Sequence, residues 1–497
     1  MKKSTYNFIT GIFAHLINIS LGIIIPRLIL INLGSEANGL ISTINQMHTY
    51  IGLFEAGVGV TALQSLYGFV ANNECRSINA VLSAVDKSYR KTGILYCIFT
   101  FAIAIAYSLM IPSGIPKVTI FIIILLSGIT NAIKFFLHGK YFLLLQTEGK
   151  TYIVVSIIII TNVIFYIAEI TFIFLKLGLI AIFAAQLGAM FIQAMLLLAY
   201  MNNNYQWLDL SVKPDYSSVA QKKSALVHQI SGLIFSSTDI LIITFVCGLK
   251  VASIYSMYTL LCGTINAIVS TINNSITHKL GQAYNKDIDE YRKLHDIFEV
   301  YNLSLNFSLY CIAITFILPF INLYTSGVTD VIYNDFRLLL LFITMNLLSN
   351  IRTSSNQLIN YAGHFKLTQW RSALESAINV IISIICVLIW GIYGVMFGTI
   401  IALLYRTNDM IIYANKRILH RSPWPTYRRC LVNTGVFVVV TVIQTYIPYS
   451  IDSYTELILR ATICCVIVIP IFIASSMCFD KSIMRYSFSY IKSINNR

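Results

Sequence analysis

Residues 151–175 read TYIVVSIIIITNVIFYIAEITFIFL, and this stretch decides the class of protein. It contains no Lys or Arg and a single acidic residue, Glu169. An α-helix rises about 1.5 Å per residue, so roughly 20 apolar residues cross the hydrocarbon of a bilayer. The stretch therefore predicts a membrane-spanning helix.

The rest of the 497-residue chain has the same character, with 57% hydrophobic and 11% charged residues. Soluble domains carry about 25% charged residues, so a soluble protein is excluded. Further uncharged or nearly uncharged intervals predict spans at 4–26, 37–54, 92–116, 118–133, 177–208, 228–249, 251–278, 300–329, 336–357, 376–405, 430–451 and 461–479. The interval 376–405 splits at Trp390-Gly391 into two helices, so the sequence predicts an all-α polytopic membrane protein of about fourteen transmembrane helices.

The basic residues predict the orientation of the chain. With both termini in the cytoplasm, 27 Lys and Arg fall on the cytoplasmic side, and the opposite loops hold only Lys117, Lys176, Lys250 and Arg337. This is the positive-inside distribution, and it accounts for the formal net charge of +14 without nucleic acid as a partner. The ten cysteines form no CxxC pair, so neither a metal site nor a redox function is expected.

The chain also repeats itself. A shift of 213 residues aligns Gly178 with Gly391 and Tyr200 with Tyr413, and a shift of 214 aligns residues 144–149 with 358–363. The long connections 62–92 and 278–298 occupy equivalent places. The repeat predicts two parallel six-helix lobes, and chance resemblance among Ile-rich helices is the alternative. The predicted parts are the N-terminal lobe 1–205, a cytoplasmic linker 206–226, the C-terminal lobe 227–418, and helices 13 and 14 with a cytoplasmic tail at 419–497.

With the predicted spans numbered in chain order, the repeat relates helix 1 (4–26) to helix 7 (228–249) and helix 2 (37–54) to helix 8 (251–278). Polar residues recur at helical spacing in these four spans. Polar groups are costly in hydrocarbon, so these faces predict a shared cavity, with small-residue packing and interhelical hydrogen bonds as the alternative. The cavity and substrate candidates are Arg27, His15, Asn18, His48, Glu55, His228, Asp239, Asn266, Ser270 and Asn273.

The acids and arginines inside the spans have separate predicted roles. Asp239 lies near the middle of helix 7 and Glu55 in helix 2, so both are candidates for coupling transport to an ion. Glu169, Arg352, Arg406 and Asp409 are secondary candidates, because they could pair with partners inside the bundle. Arg406 and Asp409 are three residues apart on one helix and can neutralise each other.

The sequence contains no phosphate-binding GxxxxGK[ST], HExxH or nucleophile elbow, and the longest outer connection, about 322–335, is short. We therefore expect a transporter rather than an enzyme, without a metal or a cofactor.

Three segments resemble a known family. These are PRLILINLGSEANGL at 26–40 followed by FEAGVG at 54–59, DILII at 239–243 with Gly248 and IYS at 254–256, and QTEG at 146–149. They look like the corresponding parts of polysaccharide exporters in the multidrug/oligosaccharidyl-lipid/polysaccharide (MOP) superfamily, in particular Wzx-type O-antigen or capsule flippases. The resemblance implies a MATE/MOP-like fold in the bacterial inner membrane.

The resemblance also implies a function. Such flippases move an undecaprenyl-pyrophosphate-linked oligosaccharide from the cytoplasmic to the periplasmic leaflet by alternating access, coupled to a proton or sodium ion. Other polysaccharide assembly proteins are the implied partners. This sequence departs from the pattern in offering only Arg27 in helices 1, 2, 7 and 8 to bind pyrophosphate, with Arg352 or Arg406 as further sources of positive charge. The alternatives are a cation-coupled drug or small-solute antiporter of the same superfamily and, less favoured, a membrane polymerase of repeat units.

Overall fold

A computed structural model describes residues 2–52, 58–219, 223–446 and 451–480, and within these ranges the chain is helical with no β-strand. Eleven of the described helices are long and apolar enough to cross a membrane, and the shorter apolar segment Ile17–Leu33 adds to them. The prediction of an all-α polytopic membrane protein is confirmed.

The described helices are α1 (Lys2–Leu33), α2 (Ser35–Ile51), α3 (Val58–Ala71), α4 (Cys75–Met110), α5 (Lys117–Ile133), α6 (Gly139–Thr147), α7 (Thr151–Phe174), α8 (Gly178–Asn204), α9 (Lys223–Cys247), α10 (Leu249–Lys286), α11 (Ile288–Tyr324), α12 (Phe336–Ile351), α13 (Thr353–Tyr361), α14 (Phe365–Trp390), α15 (Ile392–Tyr413), α16 (Trp424–Thr445) and α17 (Tyr454–Phe479). The predicted span 336–357 divides between two helices, α12 and α13. A π-helical segment, Lys134–His138, joins α5 to α6, and a second one, Ala414–Ile418, follows α15.

Two helices run further than the hydropathy of the sequence indicates. The connection expected at 278–298 is almost entirely helical, because α10 continues to Lys286 and α11 begins at Ile288. The residue between them, Asp287, caps α11 by accepting a hydrogen bond of 2.8 Å from the backbone N–H of Asp289. Hydropathy detects the part of a helix that lies in lipid, and it does not detect the amphipathic continuation of the same helix in water.

The internal repeat is visible in the backbone. Six of the seven described glycines with positive φ form three pairs 213 or 214 residues apart, and each pair stands where one helix ends and the next begins. The pairs are Gly34 (φ 86°) with Gly248 (φ 87°), Gly149 (φ 70°) with Gly363 (φ 67°), and Gly178 (φ 81°) with Gly391 (φ 58°). Only glycine adopts this conformation without strain, so the repeat preserves the residues that end its helices.

The hydrogen bonds around one of these pairs repeat as well. The N–H groups of Gly149 and Gly363 donate to the carbonyls of Gln146 and Asn360, each at 3.1 Å. The next N–H in each copy donates five residues back, from Lys150 to Leu145 at 2.8 Å and from His364 to Ile359 at 3.2 Å. These contacts close the C-termini of α6 and α13 in the same way.

The described residues divide into two compact units, with the boundary between Ser253 and Ile254. In the first unit α9 and the start of α10 pack against α2. A Cβ at Gly39 would overlap the carbonyl of Leu249, so the missing side chain is what allows this approach. In the second unit α16 and α17 pack against α11. The lobe boundaries expected from the repeat stay a prediction.

Candidate functional site

The sequence candidates of the first unit are described unevenly. Glu55 lies outside the described residues, and so do the side chains of His15 and His228. Asn18 is exposed on α1, and Arg27 is half-buried on the same helix. The structure therefore places one of the two proposed ion-coupling residues, Asp239.

Asp239 is 3% exposed on α9, and its surroundings are polar. The preceding residue, Thr238, bonds the phenol of Tyr50 from α2, and that phenol also donates to the carbonyl of Ile234 at 3.3 Å. Further along the same interface Thr43 and Thr244 share a buried hydrogen bond of 2.9 Å. The carboxyl group thus stands beside a polar helix interface rather than in lipid, as a functional acid within a membrane requires.

His48 joins three helices of the first unit. Its Nε2 lies 2.8 Å from the hydroxyl of Ser127 on α5, and its Nδ1 lies 2.6 Å from the phenol of Tyr96 on α4. Both ring nitrogens are engaged, so in this conformation His48 presents none to a ligand. This contact is of the interhelical kind that the packing alternative predicts.

The first unit also contains a polar cavity of about 290 Å³ that the sequence reasoning missed. Its polar lining comes from the helices around 117–147, 151–174 and 178–204: Thr130, Lys134, Thr161, Asn162, Tyr166, Gln186 and Gln193. On α7, Thr161, Asn162 and Tyr166 are spaced by one and four residues and share one helical face. The polar residues at helical spacing in the predicted span 151–175, which corresponds to α7, are the sequence signal that could have revealed this face.

Glu169 continues the polar face of α7, three residues beyond Tyr166, and it is 5% exposed. In the described part of the chain it takes part in no ion pair. A buried carboxylate without a cation is costly to keep charged. Glu169 therefore differs from the buried acids of the second unit, which form ion pairs with arginines.

The polar stripe predicted on helix 8 divides in the second unit. Asn266 joins an amide cluster, in which its Nδ2 donates to Asn346 at 2.6 Å and its Oδ1 accepts from Tyr310 and Asn350, each at 2.8 Å. Asn273 is buried and Ser270 is exposed. Only part of the stripe on α10 therefore faces the surface in this conformation.

Three of the four secondary candidates, Arg352, Arg406 and Asp409, meet in one network of the second unit. It is named here the Arg406 network and also contains Arg371 and Glu375. Glu375 pairs with Arg352 and lies 3.4 Å from Nε of Arg406, which in turn pairs with Asp409 at 2.7 Å. Asp409 also pairs with Arg371.

The i,i+3 pair between Arg406 and Asp409 is as the sequence indicated, whereas Glu375 and Arg371 were not anticipated. Arg406 is 1% exposed. Since Arg352 and Arg406 are both bound to carboxylates, neither is free to bind pyrophosphate in this conformation. The positive charge expected from them is used inside the bundle.

A further buried network, the Arg429 network, consists of Asp296, Glu299, Arg421, Arg429 and Asp480. The guanidinium of Arg429 contacts Glu299 at 2.5 Å, Asp296 at 2.7 Å and Asp480 at 2.9 Å, and Arg421 contacts Asp296 at 2.8 Å. Asp296 and Glu299 lie on α11, Arg429 lies on α16, Arg421 precedes α16, and Asp480 directly follows α17. This network could not be predicted from the sequence, because its members are up to 184 residues apart.

The described residues contain no group of three or more His, Cys, Asp or Glu that could hold a metal ion. The arrangement is one of buried polar interfaces, one polar cavity and two charge networks.

Comparison with known proteins shows which fold this is. No protein-family model and no curated protein sequence matches the chain. Among solved structures, the lipid II flippase MurJ in an inward closed conformation matches with a TM-score of 0.64 at 15% identity, over 96% of this chain and 100% of that one.

Two transporters of the MOP superfamily match over less of the chain. An inward-facing multidrug resistance MATE transporter has a TM-score of 0.64 at 14% identity, over 80% of this chain and 93% of that one. A MOP superfamily transporter from Pyrococcus furiosus has a TM-score of 0.51 at 13% identity, over 84% and 96%. The fold is that of MOP superfamily transporters and flippases.

Proposed function

We propose that this protein is a flippase that moves a polyprenyl-pyrophosphate-linked oligosaccharide, an O-antigen or capsule repeat unit, across the bacterial inner membrane. It works by alternating access and is driven by a proton or sodium gradient. The observation that carries the proposal is the extent of the likeness to MurJ, a flippase for a lipid-linked substrate.

That likeness extends into the C-terminal helices. A match over 96% of 497 residues leaves about 20 residues unmatched, whereas the segment from 419 to 497, which contains α16 and α17, is much longer. Most of that segment must therefore belong to the matched part. The match to the inward-facing MATE transporter covers 80% of the chain. The likeness to the flippase therefore includes most of the C-terminal segment that contains α16 and α17.

A cation-coupled drug or small-solute antiporter is the second candidate. The inward-facing MATE transporter favours it, because its TM-score equals that of MurJ. The two functions differ in the substrate, which is a lipid-linked sugar that changes leaflet in one case and a soluble molecule that crosses the bilayer in the other.

Residues of the first unit give the proposal a coupling site. Asp239 is buried beside the polar interface of α2 and α9, so a change in its hydration during alternating access would change its affinity for a proton or a sodium ion. The other predicted coupling residue, Glu55, lies outside the described residues, so we assign the coupling role to Asp239.

The proposal is tested in proteoliposomes that contain the purified full-length protein and an undecaprenyl-pyrophosphate-linked oligosaccharide. A membrane-impermeant glycosidase reports how much sugar lies in the outer leaflet. We expect an imposed proton or sodium gradient to increase the accessible fraction beyond that in protein-free liposomes.

The same vesicles are tested for exchange of a cationic dye such as ethidium. Gradient-driven dye exchange without sugar translocation would establish the antiporter and refute the flippase. An Asp239→Asn protein is the matched control for both assays, because the substitution keeps the size of the side chain and removes its charge.

A further inference from the structure

The second unit contains a cleft of about 500 Å³ near the C-terminal ends of α10 and α13. It is lined by Thr277, His278, Gly281, Gln282, Lys286 and Tyr361. The distribution of Lys and Arg predicts that this end of the helices lies in the cytoplasm. The cleft has no place in the ion networks or in the coupling site described above.

The cleft combines the cationic Lys286 with polar side chains that already form hydrogen bonds within the protein. Tyr361 donates to the carbonyl of Thr277 at 2.9 Å, which fixes α13 against α10. The amide nitrogen of Gln282 lies 2.9 Å from Nε2 of His278. These contacts hold the lining of the cleft in place, and the ammonium group of Lys286 favours an anion.

The acids nearest in sequence do not line the cleft. Asp287 caps the start of α11, and Asp289 pairs with Arg292 at 2.7 Å. Lys286 forms no ion pair in the described part of the chain. The positive charge of the cleft is therefore available to a ligand.

An exposed face of α10 leads into this region from the membrane. Ile268, Ile272, Ser275, Lys279, Gln282 and Lys286 follow one another at intervals of four and three residues and are all exposed. Residues at this spacing share one side of a helix. The face is aliphatic at Ile268 and Ile272 and cationic at Lys279 and Lys286, so it matches a molecule with an apolar tail and an anionic head.

We propose that this cleft binds the phosphate group of a polyprenyl lipid whose tail lies along the isoleucines of α10, and that it loads the substrate before transport. The inference rests on the proposed function and deepens it by assigning a loading site. A phosphate ester on an aliphatic tail also occurs in phospholipids, and the test separates the two sources.

The test is native mass spectrometry of the purified full-length protein in neutral detergent, titrated with undecaprenyl phosphate. We expect saturable binding that weakens at least tenfold in the double variant His278→Gln/Lys286→Gln. The matched control is Lys366→Gln, which removes an exposed lysine of α14 and should leave the affinity within twofold of the original. Size-exclusion chromatography verifies that every variant is folded.

A second variant tests the shape of the cleft without altering its charge. A Cβ at Gly281 would lie 3.2 Å from the ring of Tyr361, so the side chain of Gly281→Leu would occupy the cleft. Binding of undecaprenyl phosphate should fall in this variant as well. Unchanged affinity in both variants would overturn the proposal.

Two further probes decide the source of the phosphate. Phosphatidylglycerol that binds as tightly, with the same dependence on His278 and Lys286, would overturn the assignment to the substrate. Inorganic pyrophosphate should compete at least tenfold more weakly than the lipid, and equal competition would refute the contribution of the isoleucine face.

The loading site and the proposed function can fail separately. Sugar translocation by the original protein together with binding that ignores the cleft variants would reject the loading site alone. Cleft-dependent binding without any translocation would reject the flippase function while the cleft remained a phosphate-lipid site.

Discussion

The two units differ in how they hold charge. In the first unit Asp86 binds the buried Lys140 at 2.5 Å and the exposed Arg90 at 2.8 Å, and Glu148 binds Lys150 at 2.6 Å. In the second unit the Arg406 and Arg429 networks tie helices together through buried guanidinium groups.

This difference separates charges that fix the structure from charges that can respond to an ion. A buried arginine among carboxylates is desolvated and compensated, so removing one partner leaves an isolated charge in a low-dielectric interior. Deep in the first unit, Glu169 forms no ion pair with a described residue, and Asp239 lies beside the hydroxyl contacts between α2 and α9. We therefore expect stability to depend on the charges of the second unit and ion coupling to depend on those of the first.

The largest effect is expected from Arg429→Ala. The substitution leaves the buried Glu299 without its cation and leaves Asp480 with Arg428 alone, at 3.4 Å, which should cost about 3 to 5 kcal/mol. A thermal-shift assay in detergent should show a strongly lowered melting temperature, and less protein should accumulate in the membrane. Lys140→Ala is the matched change in the first unit and should cost less, because Asp86 keeps Arg90. Equal losses would abolish the distinction between the units.

A pair of isosteric substitutions sharpens the same contrast. Glu299→Gln weakens the contact with Arg429 and should cost about 2 to 3 kcal/mol, since hydrogen bonds to charged groups contribute on this scale. Glu169→Gln removes a carboxyl group that has no ion pair with any described residue, and it should leave the melting temperature unchanged or raise it. A loss of stability at Glu169 comparable to that at Glu299 would show that this acid also has a structural role.

Asp239→Asn is expected to affect transport rather than stability. Because it removes the charge and keeps the size, gradient-driven sugar translocation should fall at least tenfold, which corresponds to about 1.4 kcal/mol, while the abundance of the protein stays near normal. Translocation and immunoblots of the membrane fraction are measured on the same preparations. Full activity would remove Asp239 from the coupling mechanism, and disappearance of the protein would make its role structural.

The smallest effect concerns the repeat that the two halves of the chain share. Gly149→Ala and Gly363→Ala should each cost about 1 to 2 kcal/mol, because both positions have positive φ and alanine is strained there. Gly188→Ala, on a helix with open space around it, should be neutral or slightly stabilising. Thermal shifts of the three variants test this. A marked difference between the two repeat positions would show that the equivalent turns contribute differently to stability.

Part of the candidate site was accessible from sequence periodicity. The spacing of Arg406 and Asp409 indicated their pair, and the position of Asp239 within an apolar span indicated a buried polar environment. The partners of His48, Ser127 and Tyr96, could not be inferred, because they come from other helices and their contact depends on how the helices pack. The cavity around Lys134 and Asn162 was missed because the polar residues of α7 were not recognised as one face.

The sequence by itself determined the membrane class, the positions of the spans, the break at Trp390-Gly391 and the repeat, because hydropathy and glycine conformation are local properties of the chain. Only the tertiary structure decided which charges meet. Arg429 on α16 and Asp296 on α11 are 133 residues apart in the sequence. Nothing in either segment indicates that the two side chains meet. Ion pairs within a bundle form between side chains that packing brings into contact, and the strength of each pair depends on the burial that this packing creates.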